Sequence, residues 1–159
     1  MMAQTNGLPF KVVFIPTAKV KEIFWLIKED LNNILVKAEN GYDVNDVYKE
    51  LINNDMQLWL VWDSENKQKK GFIISEIIER PQFKIVTVFV MTGIERKRWQ
   101  YVAMQNLMDW GKNNDCYKAI CYSRKGWAKV FKEHGFKDTH VALEINLKTK
   151  KAHIRSTIR

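Results

Sequence analysis

Residues 85–147 hold the feature that most restricts the fold, an unbroken alternation of strand and helix periodicity. Ile85–Met91 reads as a strand, Arg96–Asn113 as a helix, Tyr117–Tyr122 as a strand and Gly126–His134 as a short helix. After Gly135-Phe136 the run Val141–Leu147 reads as a last strand. A long helix between two strands is a crossover, and a crossover lays the second strand parallel to the first. Val86–Met91 and Tyr117–Tyr122 are therefore expected side by side in one sheet.

The first half supplies what surrounds that pair. Phe10–Pro16 is a short apolar strand closed by proline, and Thr17 stands where a helix N-cap belongs. Val20, Ile23, Phe24, Ile27, Leu31, Ile34, Leu35 and Ala38 recur at three- and four-residue steps and predict one long amphipathic helix, stopped at Asn40-Gly41. A second helix follows, with Asp43 as its cap and Val44, Val47, Tyr48, Leu51 and Ile52 as its apolar face. Met56–Trp62, Gly71–Glu79 and Phe83–Met91 are strands separated by the polar turn 63–70 and by Arg80-Pro81-Gln82, an antiparallel meander.

At 159 residues the chain is expected to form one domain, spanning 10–147, with an arm at 1–9 and a basic tail at 148–159. No window approaches a membrane span, and Met1–Lys11 lacks the pattern of a signal peptide, so a cytoplasmic protein is expected. The net charge is +8, and Lys148, Lys150, Lys151, Arg155 and Arg159 supply five of those charges with no acid among them. Such a tail either holds an acidic protein, a nucleic acid or a membrane surface, or is a solvated end. Cys116 and Cys121 lack a metal or redox spacing, His134 stands before Gly135 at a helix end where its imidazole can cap carbonyls, and His140 and His153 are isolated, so no metal site is expected.

The order of elements, together with Leu58-Trp59, Glu76-Ile77 and the block from Asp115-Cys116 through Ser123-Arg124-Lys125-Gly126-Trp127 to His134-Gly135-Phe136, resembles the GNAT-type N-acetyltransferases. In wording it is similar to small GNAT-like proteins of bacteriophages and prophages, including internal virion proteins of short-tailed phages. The resemblance implies an α/β (α+β) fold, β-α-α-β-β-β-α-β-α-β: a GNAT-like mixed β-sheet with a central parallel strand pair flanked by helices. In that family acetyl-CoA lays its pantetheine arm along the strand before the long helix, here Val88, Phe89 and Val90. Its pyrophosphate sits on a glycine-rich turn at the helix N-terminus.

This sequence departs from that pattern in two places. The family turn runs Arg or Gln, two residues, Gly, one residue, Gly or Ala. Arg98-Trp99-Gln100-Tyr101-Val102-Ala103 puts Tyr101 at the glycine, and the register beginning at Arg96 puts Trp99 there. A bulky side chain or a closed turn is thus expected at the start of the 96–113 helix. Arg96, Lys97 and Arg98 either replace the glycine turn as cationic phosphate partners or form a solvated basic turn. The family's general acid, a tyrosine four residues before the Gly-Phe that follows the short helix, is here Phe131, which has no proton to give. Tyr117 and Tyr122 are the remaining phenols nearby. For a general base the best residue is Glu76, which alternation puts with Phe72, Ile74 and Ile78; a paired sheet-edge carboxylate is the other reading.

Trp99, Ala103, Leu107 and Trp110 recur at helical spacing and read as a core face rather than a binding platform. Three functions compete. The first is a non-catalytic or degenerate acetyltransferase-like protein with no cofactor, associated with a virion or its assembly and partnered by other virion proteins. The second is an active acetyl-CoA-dependent N-acyltransferase. The third is a basic nucleic-acid-binding accessory protein.

Overall fold

The computed structural model describes residues 9–123 and 125–148. Strands β1 (Phe10–Ile15), β2 (Gln57–Asp63), β3 (Gln68–Glu79), β4 (Lys84–Gly93) and β5 (Cys116–Cys121) form one sheet in chain order. The first three pairings are antiparallel and β4/β5 is parallel, as the crossover requires. That crossover is helix α4 (Arg96–Asn113). The mixed sheet with a parallel pair agrees with the sequence reading.

Each face of the sheet has its own core because strand side chains alternate. Leu58, Leu60, Phe72 and Ile74 meet the short helix α1 (Val20–Ile23) and helices α2 (Lys28–Ala38) and α3 (Val44–Ile52) through Val20, Ile27, Leu31, Leu35, Val47 and Leu51. Trp59, Val61 and Ile73 face the other way, toward Trp99, Ala103 and Leu107 of α4 and Phe131 of α5 (Lys125–Glu133). Trp99, Ala103 and Leu107 are each 1% exposed, so the helical stripe is core. No helix of the described residues is long and apolar enough to cross a membrane.

Three local expectations fare differently. Asp43 caps α3 as expected, in a capping box: the Asp46 backbone N–H donates to Asp43 (2.8 Å) and the Asp43 N–H donates to Asp46 (2.9 Å). Thr17 does not cap. Extended Pro16 takes the N-cap position without a side-chain hydrogen bond, and Lys19 N–H donates to the Pro16 carbonyl. The helix expected over 20–38 is broken by a 3₁₀ turn at Phe24–Leu26. Apolar residues three apart satisfy that tighter winding as well as an α-helix, so periodicity alone could not separate the two.

The largest correction concerns Val141–Leu147. The segment is neither helix nor strand, and among the described residues no strand pairs with it; Val141, Leu143, Ile145 and Leu147 are 82–90% exposed. Alternation reports strand potential, but a strand exists only where an edge receives it. Lys148 is exposed, whereas Lys150, Lys151, Arg155 and Arg159 of the expected tail, and residues 1–8 of the expected arm, lie outside the described residues.

Two irregularities of β4 shape the region that follows. Ile74 pairs with Val90 and Ser75 with Val88, which leaves Phe89 as an extra, bulged residue. The parallel ladder to β5 ends at Val88 opposite Cys121, while β4 runs on to Gly93.

Candidate functional site

Past Val88, β4 has β3 on one side and, among the described residues, no strand on the other, so the backbone of Phe89, Val90 and Met91 is not paired with β5. This places Val88, Phe89 and Val90 at a fork between the parallel strands. Val90 is buried, and Phe89 turns its ring to Tyr42 at a centroid distance of 4.9 Å.

Glu76, on β3, lies beside this fork, opposite Thr87 of β4. It is half-buried, and burial first and the charge of Glu50 second hold its carboxyl above the usual range. Tyr42 feels the same group: its phenol is raised by burial, then by Glu76, Glu50 and Asp46. Glu76 thus shares a patch with Tyr42, Glu50 and Phe89, reached by chain segments far apart in sequence. A carboxylate with a raised pKa is a better proton acceptor near neutral pH than an ordinary one. Its folded pKa exceeds the unfolded one, so the stability it contributes is full below the unfolded pKa and is lost as pH rises through the folded value. Glu76→Gln is therefore expected to raise the melting midpoint at neutral pH by roughly 1–2 °C, and to leave it unchanged below the carboxylate range. An equal effect at both pH values in a thermal melt series would contradict the assignment.

The start of α4 is closed. Gly71 pairs with Gly93, and the indole of Trp99 lies against both: a Cβ on Gly71 would stand 2.7 Å from Trp99 Cζ2 and 2.5 Å from the Thr92 carbonyl oxygen. Trp99 Nε1–H donates to the Ile94 carbonyl (2.8 Å), and Ile94 N–H donates to the Lys70 carbonyl (2.8 Å). Glu95, left-handed at φ 52°, precedes the helix and accepts from Lys70 Nζ (2.6 Å) and Arg98 (3.0 Å). Those two bonds hold the Glu95 carboxyl below its usual range, that from Lys70 foremost. Lys70 is itself buried and lies 3.8 Å from buried Asp63. On the α2 side of the glycine pair is a cavity of about 430 Å³ lined by Asp30, Asn33, Lys69, Lys70, Phe72 and Thr92.

The three cations of the turn do not converge on one point. Arg98 donates to Glu95 and covers the Phe10 ring at 4.6 Å. Arg96 donates to Gln100 (3.0 Å) and stacks on Trp127 at 4.6 Å. Lys97 is exposed. Tyr101 is exposed too, its ring 6.0 Å from that of His134. His134 Nε2 is buried without a hydrogen-bond partner, so it does not cap carbonyls through that atom. Phe131 is buried between Trp127 and Phe136. Of the two phenols, Tyr122 follows the end of β5 at the fork, whereas Tyr117 sits at the opposite end of that strand against Phe83.

No family model and no curated protein matches the sequence. Solved structures do match. A predicted acetyltransferase from Clostridium acetobutylicum, crystallised with acetyl-CoA, superposes with a TM-score of 0.64 at 20% identity over 87% of this chain and 96% of that one. Glucosamine-6-phosphate N-acetyltransferase from Arabidopsis thaliana gives 0.62 at 14%, over 87% and 99%. The aminoglycoside acetyltransferase meta-AAC0020 from an uncultured soil metagenomic sample, in complex with sisomicin, gives 0.62 at 12%, over 91% and 100%. The chain has the GNAT acetyltransferase fold.

The sequence reading missed the Lys70–Glu95–Asp63 network and the contact of Tyr42 with the Glu76 patch. The pairing of Gly71 with Gly93 carried a usable signal. Two glycines at the far ends of neighbouring strands, with a tryptophan one helical turn on, mark a close approach of a large ring to backbone.

Proposed function

We propose that this protein is a degenerate acetyltransferase scaffold, a binding or assembly component that does not hold acetyl-CoA by its phosphates. The observation that carries this reading is the carboxylate of Glu95, fixed between Lys70 and Arg98 at the start of α4. A phosphate arriving there would meet a negative charge already paired to the nearby cations, above a turn sealed by Trp99. Phe131 in place of a proton donor agrees with it. The virion setting rests on the wording of residues 115–136, and the nucleic-acid reading rests on the basic run beginning at Lys148.

Calorimetric titration with acetyl-CoA at near-millimolar ligand is expected to give no binding heat, and the melting midpoint is expected to stay fixed. A ligand at 100 times its Kd would stabilise the fold by about 2.7 kcal/mol, which such a melt resolves easily. Saturable heat with a rising midpoint would refute the proposal.

A second reading has one observation in its favour, the raised carboxyl of Glu76 beside an open stretch of β4 backbone. In this reading Glu76 would take a proton from an acceptor amine as its nitrogen attacks a thioester, the C–S bond would break, and the thiolate released would take its proton from water. Acetyl transfer to amines would then rise with pH through the Glu76 titration and vanish in Glu76→Gln.

A further inference from the structure

The cavity of about 430 Å³ on the α2 side of the Gly71/Gly93 pair takes no part in the scaffold function proposed above. It is also separate from the Glu76 patch. Thr92, on its wall, stands five residues beyond Thr87 on β4, about 15 Å along the strand. We propose that this cavity binds a neutral ligand carrying a vicinal diol, the group shared by the ribose of a nucleoside and by a hexose.

An ion pair supplies the chemistry. Lys69 Nζ donates to the Leu26 carbonyl (2.7 Å) and to Asp30 Oδ2 (2.7 Å). An ammonium has three N–H groups, so one remains. Asp30 Oδ1 has no partner among the described residues, and its carboxylate is 56% exposed. The pair thus sets a strong acceptor beside a strong donor. Two hydroxyls on adjacent carbons match it: one donates to the carboxylate while its neighbour accepts from the ammonium. Dinucleotide sites use an acidic side chain in the same way, to accept from a ribose hydroxyl. Asn33, one helical turn from Asp30 on the same face of α2, adds an amide that both donates and accepts, and Thr92 adds a hydroxyl from β4. The ion pair is neutral as a whole. An anion would meet Asp30 and a cation would meet Lys69, whereas hydroxyls satisfy both.

The space is already formed and of suitable size. Ligand pockets run from about 300 to 1,000 Å³, and one sugar or nucleoside suits the lower part of that range. Buried Leu31 and Leu35 fix the α2 wall, and the Ile94 N–H, donating to the Lys70 carbonyl (2.8 Å), fixes the far rim. Ile34 and Ile94 line the cavity and offer aliphatic surface to the C–H face of a sugar ring. The site is independent of acetyl-CoA, whose ribose carries a 3′-phosphate and has no free vicinal diol.

Amide chemical shifts of the isotope-labelled full chain should move on titration with adenosine or methyl glucoside to millimolar concentration. The moving set should centre on Asp30, Asn33, Lys69, Thr92 and Gly93. 2′-Deoxyadenosine keeps the base and loses the diol, and should bind at least about tenfold more weakly than adenosine. Tetrahydropyran-2-methanol, a sugar ring without its diols, should fall behind methyl glucoside by as much. Asp30→Asn keeps an acceptor for Lys69 but removes the charge, and should weaken binding about tenfold with an unchanged melting midpoint. Should that variant melt lower, Thr92→Val, of similar shape and without the hydroxyl, gives the same reading. Shifts from adenosine alone assign the site to a nucleoside, from the glucoside alone to a carbohydrate, and from both to the diol as such; each supports the proposal. No localised shift with either ligand overturns it. So does binding that survives loss of the diol, or that is indifferent to both substitutions. Shifts centred on Glu76 and Phe89 would put the ligand at the fork and overturn it equally.

Discussion

Trp99→Ala is expected to lower stability by about 3–5 kcal/mol, the usual loss when a buried Trp is cut to Ala, and the melting midpoint by about 6–20 °C. Trp99 is 1% exposed, contacts the Gly71/Gly93 pair through its ring and donates to the Ile94 carbonyl. Its removal opens a hole beneath two strands and takes the indole donor from the Ile94 carbonyl, and α4 loses the contact that fixes where it begins. Thermal and urea unfolding followed by near-ultraviolet circular dichroism would measure the loss. A drop below about 2 °C would mean that the turn holds its shape without the indole.

Gly93→Ala should act at the same place through the backbone. Gly93 has φ 152°, and a Cβ there would overlap the Lys70 carbonyl oxygen and stand 2.6 Å from the Gly71 Cα. Neither neighbour is a flexible side-chain end, so the strand pair has to part. Strained dihedrals cost about 1–3 kcal/mol and overpacking about as much again, for a total of about 2–6 kcal/mol. Gly126→Ala is the control. Gly126 lies in α5 with nothing within 4 Å of its would-be Cβ, so alanine there should stabilise by about 0.4–1 kcal/mol. Opposite signs from the same substitution would show that crowding, not glycine content, decides the outcome.

The legible parts of this molecule are those with short sequence range. The crossover from β4 to β5, the buried face of α4 and the capping box at Asp43 each follow from residues within one or two elements. The candidate site does not. Lys70 and Glu95 are 25 residues apart, and Tyr42 comes from a loop far from Glu76, so no local pattern announces either. What could be read was chemical identity: Phe131 is no acid, and Trp99 and Tyr101 are no glycine. Where those side chains lie needed the fold, and Trp99 under the turn with Tyr101 exposed is a distinction that matching the family turn in two registers could not make.

The bulge at Phe89 turns β4 into a strand that changes parity partway along. Val86 and Val88 feed the core beneath α4, yet Val90, two residues further, feeds the opposite core, and Met91 returns to the first. Deleting Phe89 would therefore leave a regular ladder to β3, with Val88 still opposite Ser75, Val90 opposite Ile74 and Met91 opposite Ile73. Val90 to Gly93 would keep their faces, and the loss would fall on the Phe89 ring against Tyr42 and on the bulge itself, which lies just past the end of the ladder to β5. A deletion at any residue of β4 paired to β3 would instead exchange the faces of all that follows. Phe89 is thus the position of the strand whose loss the register absorbs.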